Sequence, residues 1–209
     1  MTEQRSVPDS RLDSPAESLR DRVFAAGTRA LGVALLPAAY LRAPGRAKYL
    51  AAQWALAARY PREDLRGLNQ ATRAAFTSAR AEAFWRDHQL IGLTSGHRDA
   101  GAQQRMFEAE VRRTGSVYAA RLRVLPAAES RHVQGVALDV RPSQGAGWLE
   151  ANGARHDLYR RYDNEWWHFE HCPGTKGRKP ELLPYPGAVA ASMNTGPVPF
   201  LTSMSGNLL

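Results

Sequence analysis

SRHVQGVALD, residues Ser130–Asp139, is the stretch of sequence that decides the fold, because it places a histidine and an aspartate around one short apolar run. Gly135 indicates a turn, and the alternating residues after it predict a β-strand that ends near Asp139. Zinc accepts both imidazole nitrogen and carboxylate oxygen, and a catalytic zinc site keeps three protein ligands and one open position for water. We therefore expect His132 and Asp139 to supply two of three metal ligands.

The second informative stretch is EWWHFE, residues Glu165–Glu170. His168 can complete the ligand set, while Glu165 can stand beside the metal without binding it. A carboxylate in that position accepts a proton from an attacking water and later passes it to the leaving amine. Residues three apart in a regular strand point to opposite faces, so we expect Glu165 in the loop before the strand that carries His168.

The third stretch is SGHR, residues Ser95–Arg98, which follows a short apolar run and precedes a helical one that contains Gln103. A guanidinium stays charged at any working pH and offers two parallel donors to a carboxylate or to a carbonyl oxygen that gains negative charge. We expect Arg98 to stabilise such an oxygen. Gln103 is expected to hydrogen-bond the substrate.

Taken in order, these stretches resemble the motifs of the zinc D-Ala-D-Ala carboxypeptidases and dipeptidases, a family that includes the vancomycin-resistance enzymes and some phage endolysins. The family patterns are Ser-Gly-Tyr-Arg with a later Gln, Ser-x-His-x-x-Gly-x-Ala-x-Asp, and Glu-x-x-His. They fall on residues 95–103, 130–139 and 165–168, and the resemblance extends over about residues 65–171. His97 stands where the family usually has tyrosine.

The resemblance implies a peptidase that binds one zinc ion and hydrolyses a peptide bond at D-alanine in peptidoglycan stem peptides, by attack of a water that the zinc activates. The residues that it implies are the zinc ligands His132, Asp139 and His168, the catalytic residues Glu165 (general base) and Arg98 (oxyanion), and the substrate-binding residues Ser130 and Gln103.

The substrate stays open at this stage, because the Glu-Trp-Trp-His run looks more like the dipeptidase branch of the family and Gln103 looks more like the carboxypeptidase branch. A D,D-carboxypeptidase is the leading hypothesis. The alternatives are a D-Ala-D-Ala dipeptidase, an endolysin-like peptidoglycan endopeptidase and a non-catalytic zinc-binding module. A structural zinc site usually fills its fourth position and needs no adjacent base, so Glu165 argues against the last of these.

The pattern along the chain predicts an α+β fold with a small antiparallel sheet and flanking helices, and the resemblance implies the D-Ala-D-Ala metallopeptidase (hedgehog-like) arrangement. We expect a polar arm and Ala-rich helical extension over residues 1–62, a zinc peptidase domain over 63–171 and a Pro/Gly-rich wrapping tail over 172–209. Helices are predicted at 16–41 (broken near Pro37), 47–60, 63–88, 100–113 and 148–154. Strands are predicted at 90–94, 117–124, 135–140, around 158 and at 166–170.

The chain is basic, with 28 Lys and Arg against 20 Asp and Glu and a net charge of +8. Such a charge favours non-specific attraction to polyanions such as anionic wall polymers, but the sequence contains no recognisable motif for specific nucleic-acid binding. The single cysteine, Cys172, excludes an internal disulfide. His171 and Cys172 follow the third ligand, yet a strand that aims His168 at the metal aims His171 away from it, so we do not expect them to bind.

No segment is apolar over the roughly 18 residues that a membrane span needs. Residues 30–41 have the length of the apolar part of a signal peptide, but the polar segment before them is long, which favours a helix that packs on the domain. The location that we expect is the bacterial cell envelope if the chain is exported, and the cytoplasm otherwise.

Overall fold

The computed structural model describes residues 19–175 and 178–188. The predicted polar arm, the first residues of the helix predicted at 16–41 and most of the predicted tail lie outside these residues. The α-helices of the described residues are α1 (Leu19–Ala34), α2 (Leu36–Arg42), α3 (Ala47–Arg59), α4 (Gln70–Arg86), α5 (Ala100–Thr114), α6 (Val117–Arg121) and α7 (Ser143–Asn152). Short 3-10 turns span Pro44–Arg46 and Gly153–His156.

One antiparallel sheet contains the strands β1 (Gly92–Ser95), β2 (Ala137–Arg141), β3 (Leu158–Arg160) and β4 (His168–His171). Its spatial order is β1-β2-β4-β3, so the two strands that carry the predicted ligands are neighbours. The register pairs Asp139 directly with His168 across β2 and β4. The predicted α+β fold with a small antiparallel sheet and flanking helices is confirmed.

The main core lies between α4 and one face of the sheet. Phe76 and Ala83 of α4 pack with Leu138 of β2 and Phe169 of β4, and all four side chains are fully buried. Because side chains alternate along a strand, the residues next to Leu138 and Phe169 point to the opposite face. Asp139 and His168 therefore face away from the core.

The helix α4 is fixed at its start by Asn69, whose side chain accepts a hydrogen bond from the Thr72 backbone N–H at 2.7 Å. The Asn69 N–H in turn donates to the carbonyl of Gly135 at 3.0 Å. Gly135 has a φ of +69°, and a Cβ there would lie 2.6 Å from the carbonyl oxygen of Gly67. This contact explains why glycine is needed in the turn between His132 and β2.

The helices α1, α2 and α3 pack together and meet α4 through a second apolar cluster that includes Leu56 of α3 and Phe84 of α4. Gly32 of α1 lies so close to the Phe84 ring that an added Cβ would be 2.5 Å from it. Within the described residues, no single helix is long and apolar enough to cross a membrane, although α1 and α2, bent by 43° at their junction, together reach that length and composition.

Three details of the predicted elements are wrong. Residues 117–124 form no strand, because Ser116 caps a helix through the Ala119 N–H at 3.3 Å and the following alanines favour α6. The helix predicted from residue 63 begins at Gln70, since its cap lies at Asn69. The helix predicted at 148–154 is α7, which begins five residues earlier, at Ser143.

Candidate metal centre

All the residues predicted for the site line one cavity of about 500 Å³. They reach it from the end of β1, from α5, from the turn before β2, from β2 itself and from the region of β4. Residues more than 60 positions apart in the sequence are therefore side by side in the fold. The residues concerned are Arg98, Gln103, Ser130, His132, Asp139, Glu165 and His168.

His132 lies in the turn that leads into β2 and is almost completely buried. Its Nδ1 is 2.6 Å from the carbonyl oxygen of Gly96. A carbonyl can only accept, so Nδ1 carries the proton of the neutral ring and Nε2 is left with its lone pair. That nitrogen lies 3.4 Å from Oδ2 of Asp139.

Asp139 and His168 face each other across β2 and β4, with Nδ1 of His168 3.1 Å from Oδ1 of Asp139. Burial opposes ionisation of Asp139, but hydrogen bonds to His132 and His168 outweigh it and hold the pKa of its carboxyl below the ordinary range. For His168, burial favours the neutral ring, but hydrogen bonds to Asp139 and Glu170 prevail and raise its pKa to about 9. A cation at this position would compete with that proton for Nδ1.

The donor set fits a metal ion. One atom each from His132, Asp139 and His168 lies within 4.8 Å of the other two. Two imidazole nitrogens and one carboxylate oxygen are a ligand set that zinc accepts, with room for a fourth ligand on the cavity side. Each histidine also has an acceptor at its other nitrogen, and such acceptors fix the orientation of metal-binding imidazoles.

Glu165 lies in the loop before β4, as the spacing predicts. Its Oε2 is 3.8 Å from Nδ1 of His168, and its side chain is mostly buried. Burial raises the pKa of the Glu165 carboxyl, and the charge of His168 only partly opposes this effect. A carboxyl whose pKa is raised towards neutrality, next to a metal ligand, suits an acid/base role.

Arg98 is held from two sides. One guanidinium nitrogen donates to Oε1 of Gln103 at 2.6 Å, and the other donates to Oγ of Ser95 at 3.0 Å. Gln103 is buried and uses its amide N–H to bond the carbonyl of Leu125 at 2.7 Å. Both polar groups of Gln103 are therefore engaged within the protein, and the contact that it makes here is with Arg98.

Ser130 is also buried and lines the cavity beside His132. Its N–H is hydrogen-bonded to the carbonyl of Pro126 at 3.1 Å, which ends the turn before the ligand loop.

Glu170 is a site residue that the sequence analysis did not assign. It is only 2% exposed, and its Oε1 lies 3.3 Å from Nε2 of His168 and accepts a hydrogen bond from the Tyr162 hydroxyl at 3.1 Å. Its Oε2 pairs with Arg131 and Arg161, each at 3.4 Å. Since residues two apart in a strand share a face, the position of Glu170 after His168 was a signal that could have identified it.

Other residues line the cavity without a motif that would have pointed to them. Arg123 adds a further cation to the lining and is paired with Glu110 at 3.6 Å. Tyr162 stacks beside the His168 ring with 4.8 Å between ring centroids, and burial raises the pKa of its hydroxyl. Such side chains reach the cavity through tertiary packing alone, so no spacing in the sequence could have predicted them.

His171 and Cys172 are not part of the ligand cluster. Nδ1 of His171 lies 3.2 Å from the hydroxyl of Thr72, on the α4 side of the sheet. The expectation that its side chain points away from the metal is met. His97 is exposed and lies against Gly67.

The fold brings together three residues that could bind one metal ion and places the Glu165 carboxylate beside them, an arrangement like that of catalytic rather than structural zinc sites. Among solved structures, the chain is similar to the vancomycin-resistance D,D-pentapeptidase VanY of a VanB-type cassette in complex with Zn(II), at 23% identity and a TM-score of 0.45, over 52% of this chain and 76% of that one. It is also similar to the LD-carboxypeptidase LdcB, at 20% identity and 0.45, over 50% and 58% of the two chains.

A third similar structure is the L,D-carboxypeptidase DacB from Streptococcus pneumonia, at 22% identity and a TM-score of 0.43, over 53% of this chain and 70% of that one. No protein-family model matches the sequence, and no curated protein matches it. The names of the similar structures thus include both D,D- and L,D-specific peptidases.

Proposed function

We propose that this chain is a zinc-dependent peptidase that hydrolyses a peptide bond at D-alanine in peptidoglycan stem peptides, acting as a D,D-carboxypeptidase. The observation that supports it best is the meeting of three separate sequence motifs in one cavity, where Glu165 lies 3.8 Å from a nitrogen of the His-Asp-His cluster. A peptidoglycan substrate would place the activity at the cell envelope, where the positive net charge favours attraction to anionic wall polymers.

The proton transfers are the task of Glu165. A zinc ion held by His132, Asp139 and His168 would polarise the scissile carbonyl and promote ionisation of the attacking water. Glu165 takes the proton of that water and then delivers it to the nitrogen of the leaving D-alanine. The raised pKa of Glu165 suits both steps, because the group has to accept a proton and to release it within one turnover.

Arg98 stabilises the negative charge that develops on the carbonyl oxygen. Its guanidinium is already held by Ser95 and Gln103, so little reorganisation is needed when the charge appears. The role of Gln103 in this proposal is to orient Arg98.

The charges around the cavity support release of a terminal residue. Arg123 and Arg131 line it, but they are paired with Glu110 and Glu170. Arg98 has neutral hydrogen-bond partners within the described residues, so it favours a substrate that presents a carboxylate, as a peptide C-terminus does. An endopeptidase would have to place a neutral segment beside this cation. We therefore place carboxypeptidase ahead of endopeptidase activity.

The test is a substrate panel with the zinc-loaded full chain: D-Ala-D-Ala, a stem pentapeptide ending in D-Ala-D-Ala, a stem tetrapeptide ending in one D-Ala, and purified sacculi. Products are identified by mass spectrometry, and a chelator-treated sample serves as the control for metal dependence. Metal content is measured on the same preparations.

Release of one D-alanine from the pentapeptide, abolished by chelator and restored by zinc, is the expected result. Release of D-alanine from the tetrapeptide alone would identify an L,D-carboxypeptidase instead. Cleavage of the free dipeptide alone would identify a dipeptidase. Soluble muropeptides from sacculi without D-alanine release would indicate an endopeptidase. Stoichiometric zinc with no product from any substrate would contradict the enzymatic function and leave a zinc-binding module.

A further inference from the structure

The helices α1 and α2 carry apolar residues on the side that packs against the rest of the protein. These residues recur at helical spacing and are small, which lets α1 and α2 approach α3 and α4 closely. The buried members of this inner face are Thr28, Gly32 and Ala39. The inner face already accounts for the packing of both helices.

The opposite side is apolar as well. We call outer face the set of exposed residues Val23, Ala26, Ala30, Val33, Ala34, Pro37 and Leu41. Val33 is 57% exposed and Leu41 is 86% exposed, although a globular domain normally buries such side chains. A helix that is apolar on all sides occurs in large cores or in contact with lipid.

The middle of the outer face carries no charge. Arg29 is the one charged residue between Arg22 and Arg42. Its guanidinium donates to the carbonyl of His88, just beyond the end of α4, at 3.2 Å. Arg29 therefore points towards α4 and not towards the outer face. The exposed residues of the outer face from Val23 to Leu41 therefore include no charged side chain.

Cations are concentrated at both ends of this surface. Arg20 and Arg22 are exposed at the start of α1. Arg42 is exposed at the end of α2, and Arg46 and Lys48 are exposed just after it. Residues 19–62 contain eight basic residues and one acidic residue, whereas residues 63–171 contain fifteen and fourteen. The excess of basic over acidic residues is thus seven in residues 19–62 and one in residues 63–171.

Lys48 also borders a shallow apolar depression next to this surface. The other residues that line the depression are Leu36, Pro37, Tyr40, Leu41 and Ala47. An apolar floor with a long amphipathic cation at its rim can bury the aliphatic stem of the lysine and leave its ammonium at a polar boundary.

We propose that the outer face docks on the surface of an anionic lipid bilayer, with the apolar side chains among the upper acyl chains and the flanking cations against the lipid phosphates. Charge complementarity and the apolar surface together favour this partner. A second copy of the chain would bring like charges together, and a soluble polyanion would leave the apolar residues in water. Docking of this kind does not depend on the peptidase function.

Vesicle co-sedimentation of the full chain tests the docking. Vesicles of phosphatidylcholine with 30% phosphatidylglycerol, a composition of about one anionic lipid in three, are compared with pure phosphatidylcholine at about 0.1 M salt, where screening is moderate. We expect binding to the anionic vesicles to be at least about tenfold tighter, because several cations each contribute attraction to such a surface.

Two double variants separate the apolar part from the charged part. Val33→Ser with Leu41→Ser keeps the charge and should weaken binding to anionic vesicles by about tenfold or more, because the apolar insertion is lost. Arg42→Gln with Lys48→Gln keeps the apolar face and should weaken it by roughly 20-fold. The matched control is Val117→Ser, which removes an equally exposed apolar side chain on α6 and should leave binding unchanged.

Several results would overturn the docking: no binding to either vesicle, equal binding to both, or serine variants that bind as the parent chain does. A soluble polyphosphate that binds the parent chain and the serine variant equally, without vesicle binding, would identify a polyanion as the partner instead. Self-association that the serine variant abolishes, measured by light scattering, would identify a second copy. Circular dichroism of each variant shows that α1 and α2 remain folded.

Discussion

The protein contains two buried polar clusters, and they are satisfied in different ways. In the first, Arg80 of α4 donates to Glu63 at 2.8 Å and to Gln53 of α3 at 2.7 Å, while the other oxygen of Glu63 accepts from the Leu93 N–H at 2.5 Å. Every member of this cluster has a partner of opposite character. It ties α3, α4 and β1 together and leaves nothing for a ligand to add.

The carboxylates of the metal centre are balanced differently. Glu170 is balanced by Arg131 and Arg161. Within the described residues, Asp139 and Glu165 instead pair with the imidazoles of His132 and His168. Protons on these imidazoles, or a bound cation, can balance the two carboxylates. The first cluster is complete within the protein, whereas the second offers donor atoms that a metal ion could use.

The largest effect that separates the two clusters is expected for Glu165→Gln. The amide keeps the shape of the side chain but cannot accept the proton, so kcat should fall on the order of 10³-fold. Zinc content should stay at one per chain, measured by atomic absorption on the same samples. Glu108→Gln, an exposed carboxylate on α5, is the matched control and should retain full activity. A Glu165→Gln variant that keeps activity would remove this residue from the mechanism.

In the other cluster, Glu63→Gln should act on stability and spare the chemistry. The change leaves the guanidinium of Arg80, 3% exposed, without its counter-charge, which costs about 3 kcal/mol in the free energy of unfolding. Denaturant titration measures this loss, and kcat/KM below the unfolding transition should match that of the parent chain. Reduced zinc content in this variant would show that the two clusters are not independent.

A smaller effect is expected for Glu170→Gln, which alters a neighbour of the metal centre rather than a ligand. Glu170 orients His168 through its Nε2, and loss of such a contact weakens metal binding by roughly tenfold. Competition with a chromophoric chelator measures the zinc affinity directly, without an activity assay. Unchanged affinity would mean that Tyr162 and the strand pairing hold His168 by themselves.

The smallest effect is expected for Asn69→Ala, at the start of α4. Loss of the cap should lower the free energy of unfolding by about 1 kcal/mol. Zinc affinity should not change, because the bond from the Asn69 backbone to Gly135 does not use the side chain. A parallel loss of zinc affinity would show that the start of α4 positions the turn of His132.

The sequence predicted those parts of the structure that have a local signal. The strand of Asp139, the loop position of Glu165 and the break between α1 and α2 follow from alternation, spacing and proline. The strand predicted at 117–124 was wrong, because the cap of Ser116 outweighs the β-branched and aromatic residues that follow it. Glu63 and Arg80 meet over 17 positions and Glu170 meets Arg131 over 39, so only the folded chain could reveal these pairs.

The pairing of Asp139 with His168 across β2 and β4 also has a consequence for how the chain folds. A slip of one residue between these strands would turn one of the two ligands to the opposite face, where it could not share a cation with the other. A ligand stabilises only the state that binds it, so zinc would stabilise the correct register of the two strands and not the slipped one. Zinc binding would then select the correct register of β2 and β4 before any substrate binds.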